Sequence, residues 1–197
     1  MTTEYAFDER AADRAAARGT VDFYARMRLE RLHAKRPAVY AKPGDIHPEV
    51  RAWCERLLAG DAGTLLLVGS IGVGKTWNIW AAAEYLILRG WTGRFERAGA
   101  RELKRACTLP VDRDRLDAWA AANLFALDDL GAQSITDWDS DHIAAIIDER
   151  WEEGRPMMIT SNDGDFVTLL GDRSSSRSRD NATVVMMAGA DRRELRA

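Results

Sequence analysis

The stretch GSIGVGKT, residues 69–76, follows the apolar run TLLLV and precedes WNIWAAAEYLI. A β-type run, a glycine-rich turn, Lys-Thr and then a helical stretch leave few folds open. The pattern fits G-x-x-x-x-G-K-[ST], a phosphate cradle. The glycines let several backbone N–H groups converge on one anion, and the helix opening at Lys75 adds its positive end. Gly69, Ser70, Ile71, Gly72, Val73, Gly74, Lys75 and Thr76 are therefore the expected nucleotide-binding residues. Lys75 is expected on the β- and γ-phosphates and the Thr76 hydroxyl on Mg²⁺.

A cradle alone does not make an ATPase; a carboxylate must stand on the metal side. NLFALDDLG supplies a buried apolar strand that ends in Asp128 and Asp129. Asp128 is expected to hold Mg²⁺ through water, and Asp129 to polarise the attacking water. MMITSN is a second buried strand ending in polar residues. In a parallel sheet its Asn162 projects at the cradle's edge, within reach of the γ-phosphate or the lytic water.

Around these motifs, β-type runs alternate with helical stretches from residue 64 onward. Continuous apolar strands separated by helices indicate a parallel sheet covered on both faces. In the long helix DSDHIAAIIDERWEEG, Ile143, Ile146, Ile147 and Trp151 share one side, and Asp139 or Ser140 is the expected cap. Trp91 and Trp119 are expected in the core.

Two units are expected: a charged helical segment over 1–36 and an ATPase domain over 37–197, joined through the Pro-rich RPAVYAKPGDIHPEV. In the first, Val21, Tyr24, Ala25, Leu29 and Leu32 share a helical side while Phe23 and Met27 fall on another. Such a helix either packs on its own domain or waits for a partner. The net charge of −3 excludes a chain that is basic all over, so nucleic-acid contact must be a local patch. Two cysteines without metal-type spacing, no membrane-length apolar stretch and a charged N-terminus point to the cytoplasm.

The order GSIGVGKT, LFALDDLG, ITSN and LLGDRSSSR resembles the AAA+ ATPases of the DnaC-type helicase-loader group and their relatives, the IstB-type transposition ATPases. The resemblance covers roughly residues 37–193. It implies a P-loop NTPase fold of three layers, with a five-stranded parallel sheet of order 5-1-4-3-2 and little or no C-terminal lid. It also implies self-association in a ring or spiral, with each active site completed by a neighbour. Carried onto this chain, Gly69, Gly74, Lys75 and Thr76 match Walker A, Asp128 and Asp129 match Walker B, and Asn162 matches sensor 1. Arg177 falls at the arginine-finger position with Arg173 nearby; Ser178 and Arg179 depart from the family's pattern and leave the finger open among Arg173, Arg177 and Arg179. Asp129 is one methylene shorter than the Glu of many AAA+ enzymes, so slow hydrolysis is expected.

RELKRAC places Arg101, Lys104 and Arg105 on one short helix, which is either a solvated face or a strip that binds single-stranded DNA phosphates without reading sequence. The resulting expectation is an ATP-hydrolysing loader that places a DnaB-type replicative helicase on single-stranded DNA, gripping the helicase through residues 1–36. The rivals are an IstB-type transposition helper, a nucleotide-dependent adaptor that barely hydrolyses, and a small P-loop kinase. The adjacent Asp pair, the later Asn and the Arg loop disfavour the last.

Overall fold

TLLLV, LFALDDL and MMITS become neighbouring strands because each can be buried on two faces at once, while TVVM is an edge strand that buries Val185 and leaves Val184 and Met186 exposed. In a computed structural model, which describes residues 23–130, 137–162 and 174–191, the strands are β1 Leu65–Val68, β2 Phe95–Gly99, β3 Leu124–Leu130, β4 Met157–Ser161 and β5 Thr183–Met186. They form one parallel sheet of order β2-β3-β4-β1-β5, the expected 5-1-4-3-2 read from the other edge. The helices are α1 over 23–35, α2 Pro48–Leu58, α3 Lys75–Leu88, α4 Ala100–Cys107, α5 Arg113–Ala120, α6 Asp137–Glu152 and α7 over 174–179. Among the described residues no helix is long and apolar enough to cross a membrane.

Strand alternation divides the core in two. Phe125, Leu127 and Ile159 face α4, α5 and α6 and pack with Leu103, Trp119, Ile143 and Ile147. Leu65, Leu67, Ala126 and Met158 face the other way and pack with Trp53, Ile79 and Leu86 of α2 and α3. Trp119 is buried as expected, and Trp91 is partly buried against the second core. The register brings four strands together at this edge: Val68 pairs with Ser161, and Gly99 with Asp128.

Two expectations need correction. Helix α6 opens at Asp137, so Asp139 and Ser140 lie inside it rather than capping it. Trp151 is not on the buried face: it is 43% exposed, while its neighbour Arg150 is fully buried. Arg150 goes inside because four backbone carbonyls meet there: Trp119, Ala120 and Ala122 accept from one terminal nitrogen at 2.7–2.9 Å, and Pro156 accepts from the other at 2.6 Å. Burial pushes this guanidinium down to about 9, which still leaves it charged at neutral pH. On α1, where the sequence leaves either packing or a partner open, Tyr24 is 54% exposed and only the part of the stripe from Leu29 to Leu32 packs on the domain.

That part is fastened to α3. Leu32 is buried with Trp80, Ala83 and Ile87, and Leu29 packs against the same group. Arg36 donates to Glu84 at 2.6 Å, and His33 lies 3.1 Å from the same carboxylate. Burial alone would raise the Glu84 carboxyl, but the Arg36 and His33 contacts together hold it below its ordinary value. The Pro-rich stretch is also tied down: Trp77 donates to the Lys42 carbonyl at 3.0 Å, and buried Asn78 accepts from the His47 N–H at 2.9 Å. Residues 1–22 lie outside the described residues.

Candidate nucleotide site

The cradle sits between β1 and α3. Its last glycine, Gly74, has φ +102 as α3 begins, a conformation other residues adopt only under strain. At its start the carbonyl of Met187 lies so close to Gly69 that a Cβ there would collide with it. Both glycines are therefore required by the backbone path. Helix α3 starts at Lys75 with no acidic residue in its own first turn; the carboxylates at this end come from elsewhere, Asp128 bonded to Thr76 and Asp191 against Gly72.

Lys75 curls back over the turn. Its Nζ donates to the Gly69 and Ser70 carbonyls at 2.5 and 2.8 Å, and to Asn162 Oδ1 at 2.7 Å. Asn162 follows β4 directly, so the cradle lysine and the residue expected as sensor 1 meet across the join between β1 and β4.

Asp128 is only 1% exposed. Its Oδ1 accepts from Thr76 Oγ1 at 3.0 Å and from Thr160 Oγ1 at 2.7 Å. Its Oδ2 accepts from Arg97 Nε at 3.1 Å and from an Arg97 terminal nitrogen at 2.5 Å. Asp129 has φ +65, its N–H donates to Thr160 Oγ1 at 2.7 Å, and its side chain is exposed. The register slips between Leu127 and Leu130 at this point. The kink separates the two carboxylates, one sealed under Thr76 and the other open to the cleft. A non-glycine residue held in this region stores strain of order 1–3 kcal/mol, typical of functional turns.

Lys75, Thr76, Asp128, Asp129 and Asn162 all line one cleft of about 880 Å³, together with Arg97 and residues from the lead-in loop and the start of α4. The donor set fits Mg²⁺. Among the described residues no cluster of three His, Cys, Asp or Glu side chains could cage a metal. A hydroxyl and one carboxylate beside an anion cradle are what Mg²⁺ uses, since it keeps waters and takes ligand phosphate oxygens. Thr76 and Asp128 would hold it.

The basic residues divide. Arg101 lines the nucleotide cleft and also an adjoining pocket of about 570 Å³ that contains Lys104 and Arg105. Arg177 is not part of the cleft: it lies on α7 against α6, paired with Asp148 at 2.6 Å and Glu152 at 3.7 Å, its guanidinium 4.7 Å from the Trp151 ring. Arg173 lies outside the described residues.

Sequence reading missed Arg97, Thr160 and Asn78. Thr160 and Asn78 carried a usable signal: polar residues inside otherwise apolar runs need a partner when buried. Arg97 sits in TGRFERA, a run too short and polar to reveal which face meets Asp128.

The chain is similar to known proteins. A 106-residue stretch is 29% identical to the replicative helicase loader DnaI of Bacillus subtilis strain 168, covering 52% of this chain and 34% of that protein. The chain thus spans about a third of the length of that curated relative. The crystal structure of DnaI matches at 26% identity with a TM-score of 0.62, over 81% of this chain and 88% of that one. The DnaC helicase loader structure shares the fold, at 21% identity and a TM-score of 0.63, over 77% of this chain and all of that one. The family model described as IstB-like ATP binding protein matches residues 56–175, from α2 through the P-loop and the Asp pair into α7. With its AAA+ sheet order and its assembled phosphate cradle, the chain belongs to the IstB-like ATP-binding protein family.

Proposed function

We propose that this protein is an ATP-hydrolysing loader that places a DnaB-type replicative helicase on single-stranded DNA. One observation carries the reading: Arg101 borders both the nucleotide cleft and the basic pocket of Lys104 and Arg105. The end of β2 and the start of α4 thus join the phosphate site to a cationic surface within a few residues. In this reading the strip binds DNA phosphates, and nucleotide state alters how it is presented. Asp129 orients the attacking water, Asn162 and Lys75 meet the γ-phosphate, and Mg²⁺ on Thr76 and Asp128 offsets phosphate charge. Subunits assemble in a ring or spiral, and an arginine of the 173–179 stretch completes the neighbour's site. The N-terminal segment, residues 1–36, grips the helicase.

The test is helicase loading onto a closed single-stranded circle, read as strand displacement, with ATPase turnover followed in parallel. ATP, this protein and helicase together should load; omitting any one should not. Binding of ATP with no turnover under any partner condition would make the chain an adaptor instead. The match to the IstB-like family supports one second reading, delivery of a transposase to target DNA. Capture of a purified transposase, but not of helicase, by residues 1–36 would select it.

A further inference from the structure

Asp128 has no lone pair to spare. A carboxylate offers about four acceptor sites, and here four hydrogen bonds fill them: two hydroxyls on Oδ1 and two guanidinium nitrogens on Oδ2. The guanidinium of Arg97 is anchored from behind, 5.8 Å from the centre of the Trp80 ring, and its side chain is 22% exposed on the cleft wall. A planar fork on a carboxylate that is only 1% exposed is a strong, charge-assisted contact. It also occupies the oxygen that a metal or its water would approach.

We infer that Arg97 is a built-in counter-cation for Asp128, which Mg²⁺ must displace when it arrives with the nucleotide. Arg97 is a positioning residue here, acting through Asp128. Two consequences follow. With Arg97 in place, an incoming triphosphate meets a neutralised carboxylate, so nucleotide binds even without metal. For the same reason metal recruitment is harder than it would be at a bare aspartate. The inference rests on the reading of the cleft as an ATP–Mg²⁺ site.

The experiment titrates a fluorescent ATP analogue into full-length protein, in EDTA and across a Mg²⁺ series, for wild type, Arg97→Ala, Arg97→Lys and Asp128→Asn. Wild type should bind in EDTA. Arg97→Ala should bind about tenfold more weakly in EDTA, and its Mg²⁺ half-saturation should fall about tenfold. Arg97→Lys restores the charge but not the fork, so it should recover EDTA binding while keeping an easier Mg²⁺ requirement. In the double variant that carries both Arg97→Ala and Asp128→Asn, removing Arg97 should no longer ease the Mg²⁺ requirement, because the pair no longer exists. Unchanged Mg²⁺ dependence in Arg97→Ala and Arg97→Lys overturns the inference, as does an equal effect in the Asp128→Asn background. If Arg97→Ala does not fold, the lysine variant and the double substitution decide alone. Failure of wild type to bind the analogue under every condition would instead remove the nucleotide reading itself.

Discussion

Lys75 Nζ lies 2.7 Å from Asn162 Oδ1, joining the cradle of one strand to the polar tip of the next. In this structure the lysine is held by two cradle carbonyls and the asparagine, in a position that keeps the turn closed. In the proposed ATP site, the lysine would exchange these acceptors for phosphate oxygens and release Asn162 to meet the γ-phosphate.

Lys75→Ala should therefore weaken ATP binding about 100-fold, since charge-assisted bonds contribute about 1.5–3 kcal/mol each. Asn162→Ala should bind within about threefold of wild type and hydrolyse at least about tenfold more slowly. Titration with labelled nucleotide and single-turnover hydrolysis separate the two. Wild-type affinity in Lys75→Ala would refute the cradle assignment.

Asp129→Asn should keep nucleotide and metal binding, because Asp128 alone meets Thr76. Its turnover should fall about 100-fold or more, within the usual range for removing a group that orients or activates water. Hydrolysis at the wild-type rate would release Asp129 from its proposed role.

For α1, the contacts that stabilise the domain lie within residues 29–36. Deleting 1–36 removes buried Leu32 and the Arg36–Glu84 pair, and should cost about 3 kcal/mol. Phe23 and Tyr24 stay 57% and 54% exposed with their rings edge to face. Replacing both with Ala should reduce helicase capture about tenfold with unaltered melting, as removal of interface aromatics does. Equal capture by the double variant and wild type would move the grip elsewhere.

Periodicity and motif spacing made the sheet, its order through the family resemblance, and Lys75, Thr76, Asp128, Asp129 and Asn162 of the cleft readable before any coordinates. Buried apolar strands admit few alternatives, and the cradle constrains its neighbours. What stayed hidden were side chains whose role depends on contacts far along the chain. Trp151 lay on the right helical stripe, yet it packs outside on Arg177 and donates to Asp180. Arg150 looked like a surface charge because the four carbonyls that hold it come from the α5–β3 junction and from before β4. Helical spacing reports which residues share a face, not whether a distant loop has exposed carbonyls to satisfy.

Arg150 is consequently a strong stability prediction. Arg150→Met keeps much of the side-chain volume and strands the carbonyls, so it should destabilise by about 3–5 kcal/mol. Arg150→Lys should recover only part, since one ammonium cannot span all four acceptors. Urea melts of the two variants measure this. A loss below about 1 kcal/mol for Arg150→Met would place it among ordinary surface substitutions.

The last prediction concerns Arg177, held on its own α6 by Asp148, Glu152 and the Trp151 ring. Its side chain is 15% exposed, so its charge is largely spent within its own subunit. To act on a neighbour's nucleotide it must leave these partners as subunits assemble. An Arg177→Ala protein should therefore bind ATP normally, because its own cradle is intact, and hydrolyse poorly when every subunit carries the change. Mixing makes the test specific. Arg177→Ala subunits combined with Lys75→Ala subunits, each inactive alone, create interfaces with an intact cradle on one side and an intact Arg177 on the other. Partial return of ATPase activity, measured with single-stranded DNA and helicase present, is the expected outcome. Arg179, which is exposed and donates through Nε to the Ser175 carbonyl at 3.3 Å, is the parallel arm. Rescue in that arm alone, with co-assembly demonstrated in both, would transfer the trans role to Arg179 and leave Arg177 as the pin between α7 and α6.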